Sequence, residues 1–203
     1  MTGNDPQRVI VGITGATGSV FGVRMLQVLQ GSGIETNLII SKWGLRTLVH
    51  EMPDSVDEVK RLATAVYSES DLGAVISSGS FETSGMVIVP CSMRTLGAIA
   101  HGTGDNLIHR AADVVLKERR RLVLVAREAP LSEIHLENML KLARMGASVI
   151  PPVPAFYDHP HTIDDIVNHI VMRVLDQLGI HFDLNARWNG LMSSNRVHQS
   201  EEP

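Results

Sequence analysis

The chain has 203 residues, enough for one domain with a sizeable core. Lys and Arg number 18 against 22 Asp and Glu, a net charge of −4 with a pI near 6.1, which argues against a general nucleic-acid binder. One cysteine, Cys91, excludes an intrachain disulfide and fits a reducing compartment. The first residues are polar and no apolar run is long enough for a signal segment or a membrane span, so a cytoplasmic protein is expected.

The first element is the most informative. Val9–Ile13 is a short β-branched apolar run. Glycines stand at 12, 15 and 18, and then an amphipathic segment carries Val20, Val23, Met25, Leu26 and Leu29. Strand, glycine turn and helix in that order expose free N–H groups and the positive end of a helix dipole, a setting that favours phosphate. Further strand-like runs fall at Thr36–Ile40, Met86–Val89, Leu122–Val125 and Ala147–Ile150, with helical patterns between them. These runs are apolar throughout rather than alternating, as parallel strands covered on both faces require. The expected fold is α/β: a single-domain, doubly wound, mostly parallel sheet of Rossmann-like or flavodoxin-like kind with helices on both faces. The domain is expected over residues 1–190, with 191–203 a polar, loose tail.

Ligands in such sheets bind beyond the carboxyl ends of the strands. The residues just past each strand therefore form the candidate site. After the first strand comes Thr14-Gly15-Ala16-Thr17-Gly18, and after the second Ser41-Lys42-Trp43. After the third comes Pro90-Cys91-Ser92-Met93-Arg94-Thr95, after the fourth Arg127-Glu128-Ala129-Pro130, and after the fifth Pro151 to Tyr157. Hydroxyls, cations, a carboxylate and a phenol converge on one edge. Two helices are well marked. One runs from an N-cap at Ser132 to Gly146. The other runs from Thr162, with Asp165 completing a capping box, to Gly179, and Arg173 lies beside its apolar stripe.

Each motif has a plain reading beside the functional one. The glycine turn would suit NAD, but the second strand ends Ile40-Ser41-Lys42 without the acid that the ribose of NAD requires. Tyr67 and Tyr157 are followed four residues on by Asp71 and His161, not by lysine. Cys91 reads as a buried strand-end residue rather than a nucleophile. The run Lys117-Glu118-Arg119-Arg120-Arg121 reads first as a solvated helix end, while Arg110, Lys117, Arg127 and Arg173 are the cations available to a second phosphate. Glu128 is a candidate acid/base, with a surface ion pair as the alternative. Trp188 either anchors the tail on a neighbouring subunit or stacks on a planar ligand. The nine histidines show no metal-ligand spacing, so no metal is expected.

Taken together, Gly12–Gly18, Ser77-Ser78-Gly79-Ser80-Phe81, Pro90–Thr95, the stretch 110–120, Arg127–Leu131 and Pro152–Tyr157 closely resemble the UbiX/Pad-type flavin prenyltransferases, in order and spacing, from Arg8 to Trp188. Trp43 and the stretch 132–140 resemble the branch that accompanies hydroxyaryl and phenolic acid decarboxylases. The resemblance implies a metal-independent transferase. It would join a dimethylallyl group from dimethylallyl phosphate to N5 and C6 of reduced FMN, and supply the prenylated FMN to a UbiD-type decarboxylase. It implies that Gly15, Ala16, Thr17, Ser41, Ser92, Met93, Arg94, Thr95 and Arg127 line FMN. Lys117, Tyr157, Arg173 and Arg110 would bind the allyl phosphate, Arg173 partly across a subunit boundary. Thr17, Glu51 and Glu128 would stand at the reacting centre, with Glu128 as proton shuttle and Trp188 covering the site. It also implies a large homo-oligomer such as a dodecamer, with sites at subunit junctions. Two departures are visible: Thr17 stands where many members have Ser, and Asp71-Leu72 stands where some carry a Trp. Two other readings remain: an FMN-binding, non-catalytic decarboxylase subunit, and a flavin-dependent cysteine decarboxylase.

Overall fold

In the computed structural model, which describes residues 7–185, six parallel strands form one sheet. They are β1 (Arg8–Ile13), β2 (Glu35–Ile40), β3 (Ala65–Ser68), β4 (Gly85–Cys91), β5 (Arg121–Ala126) and β6 (Ser148–Val149), in the spatial order β3-β2-β1-β4-β5-β6. The helices are α1 (Ser19–Gln30), α2 (Lys42–Glu51), α3 (Val56–Arg61), α4 (Met93–His101), α5 (Leu107–Lys117), α6 (Glu133–Arg144) and α7 (Ile163–Leu178). The doubly wound sheet expected from the sequence is observed.

The apolar runs explain why both faces are covered. Successive side chains of a strand point to opposite faces. Val9, Val11 and Ile13 of β1, Val87 and Val89 of β4, and Val123 and Val125 of β5 pack with Leu26 and Leu29 of α1 and Val171 and Leu175 of α7. Ile10, Met86, Ile88, Leu122 and Leu124 pack on the other face with Leu96 of α4, Ile108 and Val115 of α5, and Leu142 of α6. Fully burying one such side chain contributes roughly 1.5–3 kcal/mol.

The helix boundaries reflect local chemistry. Ser132 caps α6 by accepting from His135 N, and Thr162 caps α7 by accepting from Asp165 N, whose carboxylate accepts in return from Thr162 N. Gly146 and Gly179, both at positive φ, come just after these two helices, as expected of glycine at a helix end. One strand is not marked in the sequence. β3 is a four-residue edge strand whose side chains alternate between half-buried and exposed. It therefore lacks the apolar run by which the central strands are recognised.

The strand order reverses between β1 and β4. Connections from these two strands leave on opposite faces, and a crevice opens beyond their carboxyl ends. No helix among the described residues is long and apolar enough to cross a membrane.

Candidate functional site

The crevice is a cleft of about 590 Å³ lined by Gly15, Ser41, Lys42, Trp43, Glu69, Ser70, Ser92, Arg94, Thr95, Asp105, Asn106 and His109. That volume lies within the range of small-molecule and cofactor sites. Its walls are the turns after β1, β2, β3 and β4 and the approach to α5.

Two helix N-termini open on it. Ser41 caps α2, its hydroxyl accepting from Gly44 N at 2.9 Å. Ser92 caps α4, its hydroxyl accepting from Thr95 N at 3.3 Å and donating to Thr95 Oγ1 at 3.1 Å. The two central turns are fastened by Thr14, which is 1% exposed. Its hydroxyl donates to Pro90 O and accepts from Ser92 N, both at 2.8 Å. Gly15 is needed for close approach rather than for a twisted backbone. A Cβ placed there would stand 2.5 Å from Trp43 Cβ. Trp43 is thus brought against the glycine turn, and the Arg46 guanidinium lies over its ring at 4.9 Å.

The N-terminus of α1, expected to face phosphate, is instead occupied by the chain's own carboxylate. Glu51 accepts from Gly18 N at 3.0 Å, from Ser19 N at 2.8 Å and from the Thr17 hydroxyl. Partial burial pushes its pKa up, but the hydrogen bonds from Thr17, Ser19 and Gly18 together outweigh this and leave it below the usual carboxylate value. Gly18, in the left-handed region at φ 103°, forms the corner that aims these N–H groups. The helix termini that face the open cleft are those of α2 and α4.

The far wall carries residues that the sequence pattern does not single out. His109 is 4% exposed. Its Nδ1 lies 3.0 Å from Asp105 Oδ1, and Asp105 Oδ2 lies 3.7 Å from Arg94. Burial draws the His109 pKa below its ordinary value, more than the Asp105 carboxylate raises it. Asn106, which accepts from His109 N at 3.0 Å, is a legible N-cap that points to this wall. Cys91 is fully buried and its thiol is pushed up to about 12, which withholds the thiolate that a nucleophile needs.

Of the residues expected to line FMN, Gly15, Ser41, Ser92, Arg94 and Thr95 share the cleft wall. Ala16 and Met93 belong to the same two turns, and Thr17 turns to Glu51. Arg127 and Glu128 are exposed at the carboxyl end of β5. Arg127 N donates to Cys91 O, and Glu128 Oε1 accepts from Ala129 N.

The residues expected to bind the allyl phosphate are dispersed. Arg110, exposed at the cleft end of α5, pairs with Asp113 at 3.4 Å. Lys117, paired with Glu118, ends α5 at the opposite edge of the sheet. It lies roughly 12 Å along the helix from His109, at about 1.5 Å per residue. There Arg120 donates to Gly79 O and Phe81 O, and Arg121 to Leu178 O. The basic run is therefore a seam fastening loops at the amino ends of the strands, not merely a solvated helix end. Tyr157 is 54% exposed on a short 3-10 turn (Phe156–Asp158), and Arg173 on α7 pairs with Asp176 at 3.0 Å. Trp188 lies outside the described residues, as does the tail expected beyond residue 190.

A doubly wound sheet with hydroxyl-capped helix termini at its switch point defines a nucleotide- or flavin-binding α/β protein, and the Flavoprotein family model matches residues 2–175. Agreement with known proteins is closer still. A probable UbiX-like flavin prenyltransferase of Bacillus subtilis is 52% identical over 189 residues, 93% of each chain. The structure of AnUbiX in complex with FMN and dimethylallyl pyrophosphate is 48% identical, covers 93% of this chain and all of that one, and superposes with a TM-score of 0.91. A dodecameric FMN-dependent UbiX-like decarboxylase from Escherichia coli is 55% identical over 91% of this chain and all of its own, with a TM-score of 0.88. The chain belongs to the UbiX-like flavin prenyltransferase family.

Proposed function

We propose that this chain is a flavin prenyltransferase that joins a dimethylallyl group from dimethylallyl phosphate to N5 and C6 of reduced FMN. The observation that carries this reading is near-full-length identity, at about half of all positions, with proteins named for that activity. The cleft fits the flavin nucleotide independently. It has the volume, two helix N-termini with serine caps for the phosphate, and Arg94 beside them.

When bound, reduced FMN supplies the nucleophilic N5 and C6 positions. The chain's residues do the rest. Ser41, Ser92, Thr95 and the N–H groups behind them bind a phosphate, and Trp43 closes one side of the cleft against water. Cleavage of an allylic C–O bond develops negative charge on the departing phosphate, and Lys117, Arg110, Arg173 and Tyr157 bind it through charge-assisted hydrogen bonds. Glu128 accepts the proton released on ring closure. Because Lys117 lies at the edge of the sheet remote from the cleft, it serves the cleft of a neighbouring copy. A homo-oligomer with sites at its junctions, dodecameric as in the Escherichia coli relative, accommodates this. We further assign the flavin-binding unit to residues 1–190, the cytoplasm as its location and a UbiD-type decarboxylase as recipient of the product.

Anaerobic incubation with FMN, a reductant and dimethylallyl phosphate tests the reading. Mass spectrometry of the released flavin is expected to show a gain of one five-carbon unit. FMN bound tightly but returned unchanged would overturn it in favour of a carrier subunit. A carrier would also tolerate Glu128→Gln, which a prenyltransferase would not.

A further inference from the structure

We propose that Asp158 and His169 form a positioning pair that sets Tyr157 against Arg173 for donor binding; this rests on the reading of Tyr157 and Arg173 as donor ligands given above. His169 Nδ1 stands 2.6 Å from Asp158 Oδ2, and the two side chains are 13% and 12% exposed. Among the described residues neither atom has another hydrogen-bond partner. An enclosed carboxylate oxygen needs a donor facing it, and His169 Nδ1 is placed to be that donor for Asp158 Oδ2.

The placement of the pair gives it a specific task. Asp158 closes the 3-10 turn that carries Tyr157, and the next residue, His159, takes a left-handed conformation at φ 50° that turns the chain away. His169 belongs to α7, one helical turn before Arg173. The ring of His169 meets that of Tyr157 edge-on, with centroids 6.1 Å apart and planes at 85°. It also lines two adjoining cavities. One, of about 280 Å³, includes Asp158, His161 and Asp165; the other, of about 210 Å³, includes Val153 and Arg173. His169 thus stands between the proline-rich loop and Arg173. Its pairing with Asp158 pins the loop to the helix that bears the cation.

Tyr157 is more than half exposed, so packing alone does not fix it. A misplacement of about 1 Å in a positioning group can cost on the order of 100-fold in rate. Partners that orient a ligating side chain typically matter by about 10–100-fold.

The test is a double-mutant cycle in the full-length oligomer, reading KM and kcat for dimethylallyl phosphate and the dissociation constant of FMN. Asp158→Asn keeps the shape and removes the charge; His169→Gln removes the ring. Each is expected to raise KM about tenfold, with FMN affinity unchanged. Asp158→Glu, which keeps the carboxylate, recovers most of the loss. In a Tyr157→Phe background neither substitution adds more than about twofold, because the group being positioned is already gone. If Asp158→Asn and Tyr157→Phe multiply instead, the pair does not act through Tyr157 and this proposal alone falls. An unchanged KM in Tyr157→Phe itself overturns the assignment of Tyr157 and this proposal with it. FMN affinity lost in parallel with KM marks the pair as a fold element and overturns the positioning role.

Discussion

The cleft beyond β1 and β4 and the scattered donor residues are built in different ways. The cleft is assembled by topology. Four successive turns arrive at one sheet edge, and Thr14, Ser41 and Ser92 fasten them with buried or half-buried hydrogen bonds. The donor cations Lys117 and Arg110 have no such frame. Lys117, Arg110 and Arg173 are each about half exposed and each is held by a local carboxylate, Glu118, Asp113 or Asp176. The Lys117–Glu118 and Arg110–Asp113 pairs are exposed on both sides and contribute little to stability, whereas Asp176, which pairs with Arg173, is only 10% exposed. Their cations remain available to a stronger anion. In the function we propose, one half of the site is complete within a chain, and the other half is stocked for use across a junction between chains.

The largest effect that would sharpen this contrast is on turnover. Glu128→Gln is expected to lower kcat by roughly 10²–10⁴-fold while FMN affinity stays unchanged, since the Glu128 carboxylate is engaged by the N–H of its neighbour Ala129 rather than by the cleft wall. Stopped-flow kinetics of the anaerobic reaction measures both. A smaller change is expected on the donor side. Arg173→Ala should raise KM for dimethylallyl phosphate about tenfold, the worth of a charged hydrogen bond, again without moving FMN affinity. Equal loss of donor and FMN binding in Arg173→Ala would break the division into two halves.

Within the cleft, Gly15→Val should weaken FMN binding by roughly tenfold, the cost of forcing a side chain into a packed contact, because its Cβ would stand 2.5 Å from that of Trp43. Fluorescence titration of FMN reads this directly. The smallest expected effect belongs to Glu51. Glu51→Gln should cost about 1 kcal/mol of stability at neutral pH, as loss of a charged cap at a helix N-terminus does. The folded pKa of Glu51 lies below the ordinary 4.5. Its contribution is therefore present above 4.5 and is lost as the pH falls through the folded value. The difference between Glu51→Gln and wild type in thermal unfolding should accordingly shrink below pH 4.5.

Much of the cleft is legible in the sequence because parallel-sheet physics is written locally. Apolar runs mark the strands, and the turn residues at their ends mark the site edge; Ser41, Ser92 and Thr95 are found in this way. Three features are not legible. The carboxylate of Glu51 closes on Gly18 and Ser19 from a helix end more than thirty residues away, so the glycine turn reads as an open phosphate site. β3 is an edge strand without an apolar run. Asp105 and His109 reach the cleft only because α5 begins there, and a histidine in an amphipathic helix looks like any half-buried polar residue. The donor cations are legible as residue types. Where they act is not, because within one chain they stand apart, at the two ends of α5 and on α7.

The most direct measurement mixes two impaired chains at a donor concentration below the wild-type KM. Lys117→Ala and Glu128→Gln subunits would be purified separately, dissociated, reassembled together and assayed anaerobically for prenylated FMN. If the two residues meet across a junction, random mixing restores wild-type pairs at about a quarter of the sites, and activity returns to a comparable fraction of wild type. If each chain completes its own site, every site in the mixture keeps one defect. The mixture would then be no more active than its parents, contradicting a site shared between copies.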